Sequence, residues 1–279
     1  MGTITKGMLE KLEQSLRYEE RSKSTMEKYL RDVAQFRDWL EDRPLCREEV
    51  SGWKDALLEK GMCAGTVNCK LSALNALFRL IGREDCKARF LKVQREVFRD
   101  EDRNLSREEY FALVRTARRL GKERLALIME TICACGIRVS ELPYITVEAV
   151  RRGKAVIRLK GKLRTIMLPG KLCRKLETYL RENGISHGAV FRTRNGTPIS
   201  RRQIWGEMKS VCRQAGVEPS KVYPHNLRHL FAVEHYRENH DIVKLADTLG
   251  HSSIETTRIY LISTGEEHQR LLEHMRLVS

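Results

Sequence analysis

The stretch Ala155-Val156-Ile157-Arg158-Leu159-Lys160-Gly161-Lys162-Leu163-Arg164-Thr165-Ile166-Met167-Leu168 departs from its surroundings in apolar period. Two runs of aliphatic and β-branched residues flank Lys160-Gly161-Lys162, the pattern of two strands joined by a tight turn. The segment is predicted to be a β-hairpin with lysine at its tip. Outward from it, the sequence reads as helix in both directions. On the C-terminal side, helices are expected near 171–183 and 200–215, and Pro224 is placed to open another through Tyr236. Ser252 with Glu255 makes a capping pattern ahead of a helix running toward Tyr260, and Glu266 to Arg276 can form a last one. On the N-terminal side, Leu125 to Cys135 reads as an apolar helix, and a Ser106/Glu109 capping box starts an earlier one through Leu120.

Helical period dominates the first hundred residues. A short helix is expected near Met8 to Leu16. Ser24 with Glu27 makes a capping box ahead of Tyr29, Val33, Phe36 and Leu40. Val50, Trp53 and Leu57 form a second stripe, and Val67, Leu71, Leu74, Phe78 and Ile81 a third that ends at Gly82. Stripes of this kind bury one face of each helix, which predicts an all-helical bundle. Between Val93 and Asn104 the period lapses into a charged run typical of a solvated linker. A length of 279 residues fits two domains. The expected organisation is a helical unit over 1–98, a linker over 99–104 and a second unit over 105–279, mainly α with a small β-sheet.

The charge narrows the partner. Lys and Arg number 52 against 37 Asp and Glu, a net +15, with pI ≈ 9.6. Within 149–213 there are 17 Lys/Arg and only 3 acids, Glu177, Glu182 and Glu207. That density suits a phosphate-contacting surface better than a balanced solvated face. The 8 cysteines are scattered and form no C-x-x-C pair, which argues against a disulfide scaffold or zinc ribbon and for a reduced, cytoplasmic setting. No membrane is expected, because the most apolar run, Leu125 to Ile137, is too short to span one and carries Glu130. Met1 to Glu13 is mixed and charged, unlike a secretory signal. No G-x-x-x-x-G-K-[ST] phosphate cradle occurs, and the basic segment lacks the clustered carboxylates of a metal-dependent transposase. Neither cofactor nor metal is expected.

Metal-free cleavage of a phosphodiester needs a nucleophile, cations for the charge gathering on the non-bridging oxygens, and an acid for the leaving 5′-oxygen. Four places supply such groups: Gly136-Ile137-Arg138-Val139-Ser140-Glu141-Leu142, the hairpin Lys160, His225-Asn226-Leu227-Arg228-His229, and Leu249-Gly250-His251 with Tyr260 nine residues on. His225 and Arg228, three apart, share a helix face. His225 and His229 have the spacing of a metal pair, but there is no H-E-x-x-H and no third ligand at zinc spacing. His229 is therefore read as a packed structural histidine.

In order and wording, these segments, together with Leu249 to Thr257 as L-G-H-x-S-x-x-T-T and the pair Ile259-Tyr260, resemble the tyrosine recombinase (phage integrase) family. The likeness covers 104–279 as a mixed α+β catalytic domain, and the bundle before it is similar to the family's core-binding, SAM-like domain. It implies that Arg138 and Arg228 grip the scissile phosphate, a task suited to a planar, permanently charged fork. His225 would hydrogen-bond the phosphate or assist proton transfer, and His251 would be the second phosphate-binding histidine. Lys160 would be the general acid. Lys162 competes for that role, and Lys160 is preferred because the family places its lysine just before the hairpin glycine. Tyr260 would be the nucleophile. Ala232-Val233-Glu234 and Leu261-Ile262-Ser263 depart from the A-T-H and T-H-V common in the family, at positions outside this set.

The resemblance implies a site-specific DNA recombinase or integrase that cuts and rejoins double-stranded DNA through a 3′-phosphotyrosyl intermediate. By the same likeness, the two domains close on the duplex as a C-shaped clamp, and four subunits pair two recombination sites and exchange strands through a Holliday junction. The last helix docks on a neighbour or packs on its own subunit. The chain has no length to spare for an added arm-binding domain, so the expected type is the short two-domain one. It would serve a mobile element or, alternatively, Xer-like resolution of chromosome or plasmid dimers. A type IB topoisomerase would share the chemistry but not the close L-G-H-x-S wording. A DNA-binding regulator with a decayed site would keep the basic groove and lose catalytic residues, whereas Arg138, Lys160, His225, Arg228, His251 and Tyr260 are all present.

Overall fold

The computed structural model describes residues 3–93, 103–159, 162–251, 253–260 and 273–275. The chain divides into two compact units, Met1–Arg95 and Glu96–Ser279. Residues 99–102 of the expected linker lie outside the described residues.

The first unit consists of α1 (Lys6–Tyr18), α2 (Lys23–Leu40), α3 (Arg47–Glu59) and α4 (Ala64–Leu80). Its core is made by the stripes read from the sequence: Val33, Phe36, Leu40, Val50, Trp53, Leu57, Val67, Leu71, Leu74 and Phe78 are all buried. The cap of α2 differs from expectation. Ser22, not Ser24, is the N-cap, and its hydroxyl accepts from the Thr25 N–H at 3.3 Å. Capping at Ser22 lets Lys23 and Ser24 join the helix, so the earlier of two competing serines wins.

The second unit runs through α5 (Arg107–Arg119), α6 (Glu123–Cys135), a 3₁₀ turn at Val139–Tyr144, α7 (Val147–Arg152), β1 (Lys154–Leu159), β2 (Lys162–Met167) and α8 (Gly170–Glu182). It then continues through α9 (Arg201–Ala215), α10 (Pro224–Asn239), α11 (Ile242–Leu249) and α12 (Ile254–Arg258). The fold is thus mainly α-helical with one small two-stranded sheet. α5 opens at the expected Ser106/Glu109 box, and α10 carries Pro224 in its first turn. α6 forms the centre of the core: Leu125, Ala126, Leu127, Ile128, Met129 and Ile132 are buried around its whole circumference. α5, α8 and α10 pack against it.

The hairpin is antiparallel, with Ala155 opposite Ile166, Ile157 opposite Arg164 and Leu159 opposite Lys162. Lys162, expected in the turn, is instead the first residue of β2. Lys160 and Gly161 lie outside the described residues. Ala155, Ile157 and Ile166 are buried, and the two-residue period places Arg164 on that same inward face. α12 is capped by Ser253, whose hydroxyl accepts from the Glu255 N–H at 3.2 Å; the expected cap, Ser252, lies outside the described residues. Of the expected helix Glu266 to Arg276, only 273–275 is described, and it is helical. Among the described residues no helix is long and apolar enough to cross a membrane.

Candidate active site

α6 ends at Gly136, where φ is 60°. A Cβ there would stand 2.3 Å from the Phe231 ring of α10, so only glycine allows the chain to turn this close to that helix. The turn delivers Arg138. Its backbone N–H donates to Glu141 Oε2 at 2.8 Å, and its Nη1 donates to Glu141 Oε1 at 3.2 Å. Glu141 is buried, while the Arg138 side chain keeps 43% of its surface exposed. The second charge on Glu141 is Arg164 of β2, whose Nη2 donates to Oε2 at 2.7 Å.

Arg228 of α10 is only 1% exposed. Its Nη1 donates to the Gly136 carbonyl at 2.6 Å, and its Nη2 to the Leu249 carbonyl at 2.8 Å. The same Nη2 lies 2.9 Å from Nε2 of His251. A guanidinium accepts no hydrogen bond, so Nε2 must be the acceptor and the His251 proton must sit on Nδ1. Nδ1 in turn donates to the Thr257 hydroxyl oxygen at 2.9 Å. His251 is therefore a neutral imidazole of defined tautomer. Desolvation, followed by the charges of Arg228, Arg138 and Arg164, pushes its pKa down to about 4. Desolvation and Arg138 likewise lower Arg228 to about 10, opposed by the Tyr260 hydroxyl and Glu141.

Tyr260 follows α12 and is 3% exposed, packed with Ala232, Leu245 and Leu249. Three imidazoles surround its ring: His229 edge-on at 5.2 Å, His251 stacked at 5.9 Å and His225 at 6.2 Å between centroids. Its side chain lies close enough to the Arg228 guanidinium to favour the charged form of that group. His225 stands exposed at the start of α10. Desolvation by its neighbours, then Arg228, Arg138 and Arg201, hold its imidazole below the ordinary value. The structure thus gathers Arg138, His225, Arg228, His251 and Tyr260 in one place, whereas Lys160 lies outside the described residues. His229, half-buried, takes its place against the tyrosine ring. Among the described residues no cluster of three or more His, Cys, Asp or Glu side chains is placed to hold a metal ion.

Glu141, Arg164 and Thr257 were given no role by the sequence reading. Glu141 and Thr257 stand inside the quoted motifs, where their burial was not legible. Arg164 had no readable signal, because Leu163 and Met167 make the outward parity of the strand as apolar as the inward one.

Residues 103–267 match the phage integrase family, and residues 9–85 match the phage integrase N-terminal SAM-like domain. The chain belongs to the phage integrase family. Its activity is the breakage and rejoining of DNA strands through phosphotyrosyl chemistry. Among curated relatives, tyrosine recombinase XerA of Thermococcus kodakarensis is 30% identical, the alignment covering 97% of this chain and 96% of that one. XerA of Pyrococcus furiosus is 29% identical over 99% of this chain and 96% of its own length. Solved structures of the same fold include the XerH site-specific recombinase bound to its difH substrate before cleavage. It has a TM-score of 0.70 at 19% identity, covering 96% of this chain and 84% of that one. A lambda integrase tetramer bound to a Holliday junction has a TM-score of 0.74 at 18% identity, covering 91% and 76%. In this phage integrase family member, the arginines, histidines and tyrosine of the gathered site all fall within the matched 103–267 segment.

Proposed function

We propose that this family member is a site-specific recombinase in which Tyr260 is the nucleophile, Arg138, Arg228, His225 and His251 bind the scissile phosphate, and Lys160 protonates the leaving 5′-oxygen. Arg228 carries the reading. It is a permanent cation, 1% exposed, held by two carbonyls and a neutral imidazole rather than by a carboxylate. A charge buried in this way is unfavourable until an anion joins it. A scissile phosphate would supply that anion beside Tyr260, whose side chain favours the charged form of the same guanidinium. Arg138, still largely exposed, adds a second fork for the charge that grows on the non-bridging oxygens.

In this reaction the Tyr260 oxygen bonds to phosphorus as the P–O5′ bond breaks. The phenolic proton passes to the His225 imidazole, and Lys160 gives its proton to the departing 5′-oxygen. The new 3′-phosphotyrosyl bond retains the energy of the diester, so a 5′-hydroxyl from a partner strand can reverse the step with no cofactor. Integration, excision and dimer resolution all use this one exchange. We assign residues 1–98 to DNA binding and 105–279 to catalysis. The substrate would be double-stranded DNA with paired sites, held by four subunits whose C-terminal segments dock on neighbours. The lambda integrase tetramer bound to a Holliday junction, which shares the fold, supports the number of subunits. Free thiols at all eight cysteines support a cytoplasmic setting.

The test is incubation with a nicked suicide duplex carrying the recombination site, followed by denaturing electrophoresis. Wild type is expected to leave a covalent protein–DNA band, and Tyr260→Phe is expected to bind the duplex and leave none. A band from both proteins, or none from wild type despite specific binding, would overturn the proposal.

A further inference from the structure

We infer that Arg164 is a positioning residue for cleavage: by taking up half of the Glu141 carboxylate and tying β2 to the turn before His251, it keeps Arg138 available to the scissile phosphate. This rests on the assignment of Arg138 and His251 to the phosphate made above.

Three observations carry it. Arg164 faces inward, beside Ile166 and opposite Ile157, and its side chain is 13% exposed. A cation on that face needs partners, and it has two: Glu141 Oε2 at 2.7 Å and the Thr248 carbonyl at 3.0 Å. Glu141 is shared in turn, since its other oxygen meets Arg138 Nη1 at 3.2 Å, longer than the Arg164 contact. Finally, the Arg164 stem lies against Gly250, where φ is +65° and a Cβ would stand 2.6 Å from Arg164 Cδ. Gly250 immediately precedes His251, so one side chain touches the hairpin, the carboxylate beside Arg138 and the turn that aims His251.

The electrostatic logic follows from the sharing. A buried carboxylate left with a single cation draws that cation into a closer, bidentate pair. Without Arg164, Glu141 would hold Arg138 alone, and the phosphate would compete with Glu141 for the same guanidinium. With Arg164 in place, the carboxylate is neutralised from the hairpin side and Arg138 keeps its exposed face.

The experiment measures single-turnover cleavage of the suicide duplex at saturating protein for wild type, Arg164→Gln, Arg164→Lys, Glu141→Gln and the Arg164→Gln/Glu141→Gln double variant. DNA affinity and thermal unfolding are followed in parallel. Arg164→Gln is expected to slow cleavage by about 30-fold with affinity within about threefold, as loss of transition-state organisation should. Arg164→Lys, which keeps a cation for Glu141, is expected to recover most of the rate and provides the milder variant if Arg164→Gln fails to fold. In the Glu141→Gln background, Arg164→Gln is expected to lose less than a third of that factor, because no carboxylate remains to capture Arg138. A merely structural role would not produce that coupling. The inference is overturned if the two factors multiply independently, if Arg164→Lys is as slow as Arg164→Gln, or if the loss tracks affinity or unfolding. Tyr260→Phe run alongside separates the two readings. An adduct from that variant would sink the active-site assignment and this inference together. Wild-type cleavage by Arg164→Gln, with Tyr260→Phe inert, would sink this inference alone.

Discussion

The proton on His251 is fixed by its neighbours. Arg228 can only donate, so Nε2 must accept, and Thr257 receives the Nδ1 proton. A second proton would be poorly solvated and would face guanidinium groups, which is why the pKa falls from 6.5 to about 4. The unfolded chain therefore takes up that proton first as pH falls. Stability linked to His251 is complete above pH 6.5 and is lost as pH falls through the interval down to about 4. Between pH 7 and pH 4, the stability difference between wild type and His251→Gln is expected to shift against wild type in urea denaturation. A difference independent of pH would contradict the neutral assignment. At this scale the sequence was partly legible. Arg138, Arg228, His251 and Tyr260 stand in recognisable wording, but burial decides what each one does, and burial is a property of the packed chain. Arg164 escaped because its meaning depends on hairpin register and on Glu141, 23 residues away.

α12 lies between two residues of the proposed site, with His251 before it and Tyr260 after it. Ser253 caps its start, and Thr257 in its last turn is fully buried. Thr257→Val keeps the shape of the side chain and removes the acceptor for His251 Nδ1–H. An unpaired buried donor of this kind costs about 1–3 kcal/mol, so the imidazole is expected to turn away and cleavage to fall about tenfold at unchanged DNA affinity. Thr257→Ser, which retains the hydroxyl, is expected to cleave normally. Equal cleavage by the Val and Ser variants in a single-turnover assay would contradict the orienting role. Element existence was readable from period: the stripes of α2, α3 and α4, the change to strands at β1 and β2, and the proline opening α10 all stand where the pattern put them. Boundaries were less readable where two residues could serve equally. Ser22 displaced Ser24 because the helix gains two residues, and Lys162 left the turn because it pairs with Leu159 in the ladder.

Across the whole molecule, each of the two units has its own main hydrophobic core, and the two treat buried charge differently. The first unit buries its charge internally: Asp32 pairs with Lys70 at 3.2 Å between α2 and α4. The second gathers arginines at a site where one, Arg228, is buried with no carboxylate as its hydrogen-bond partner among the described residues. Net positive charge was legible from composition and pointed to a polyanion. That the decisive cation is the most deeply buried arginine among the described residues could be seen only once α6, α10 and α11 were packed together. The central claim is that this cation and Tyr260 meet at one phosphate. It is tested most directly by digesting the trapped protein–DNA adduct with trypsin and sequencing the nucleotide-bearing peptide by tandem mass spectrometry. The expected result is a 3′-phosphonucleotide on Tyr260, within the peptide spanning 259–270, and a free 5′-hydroxyl on the other DNA end. A nucleotide on any other residue, or a 5′-phosphate linkage, would contradict the account.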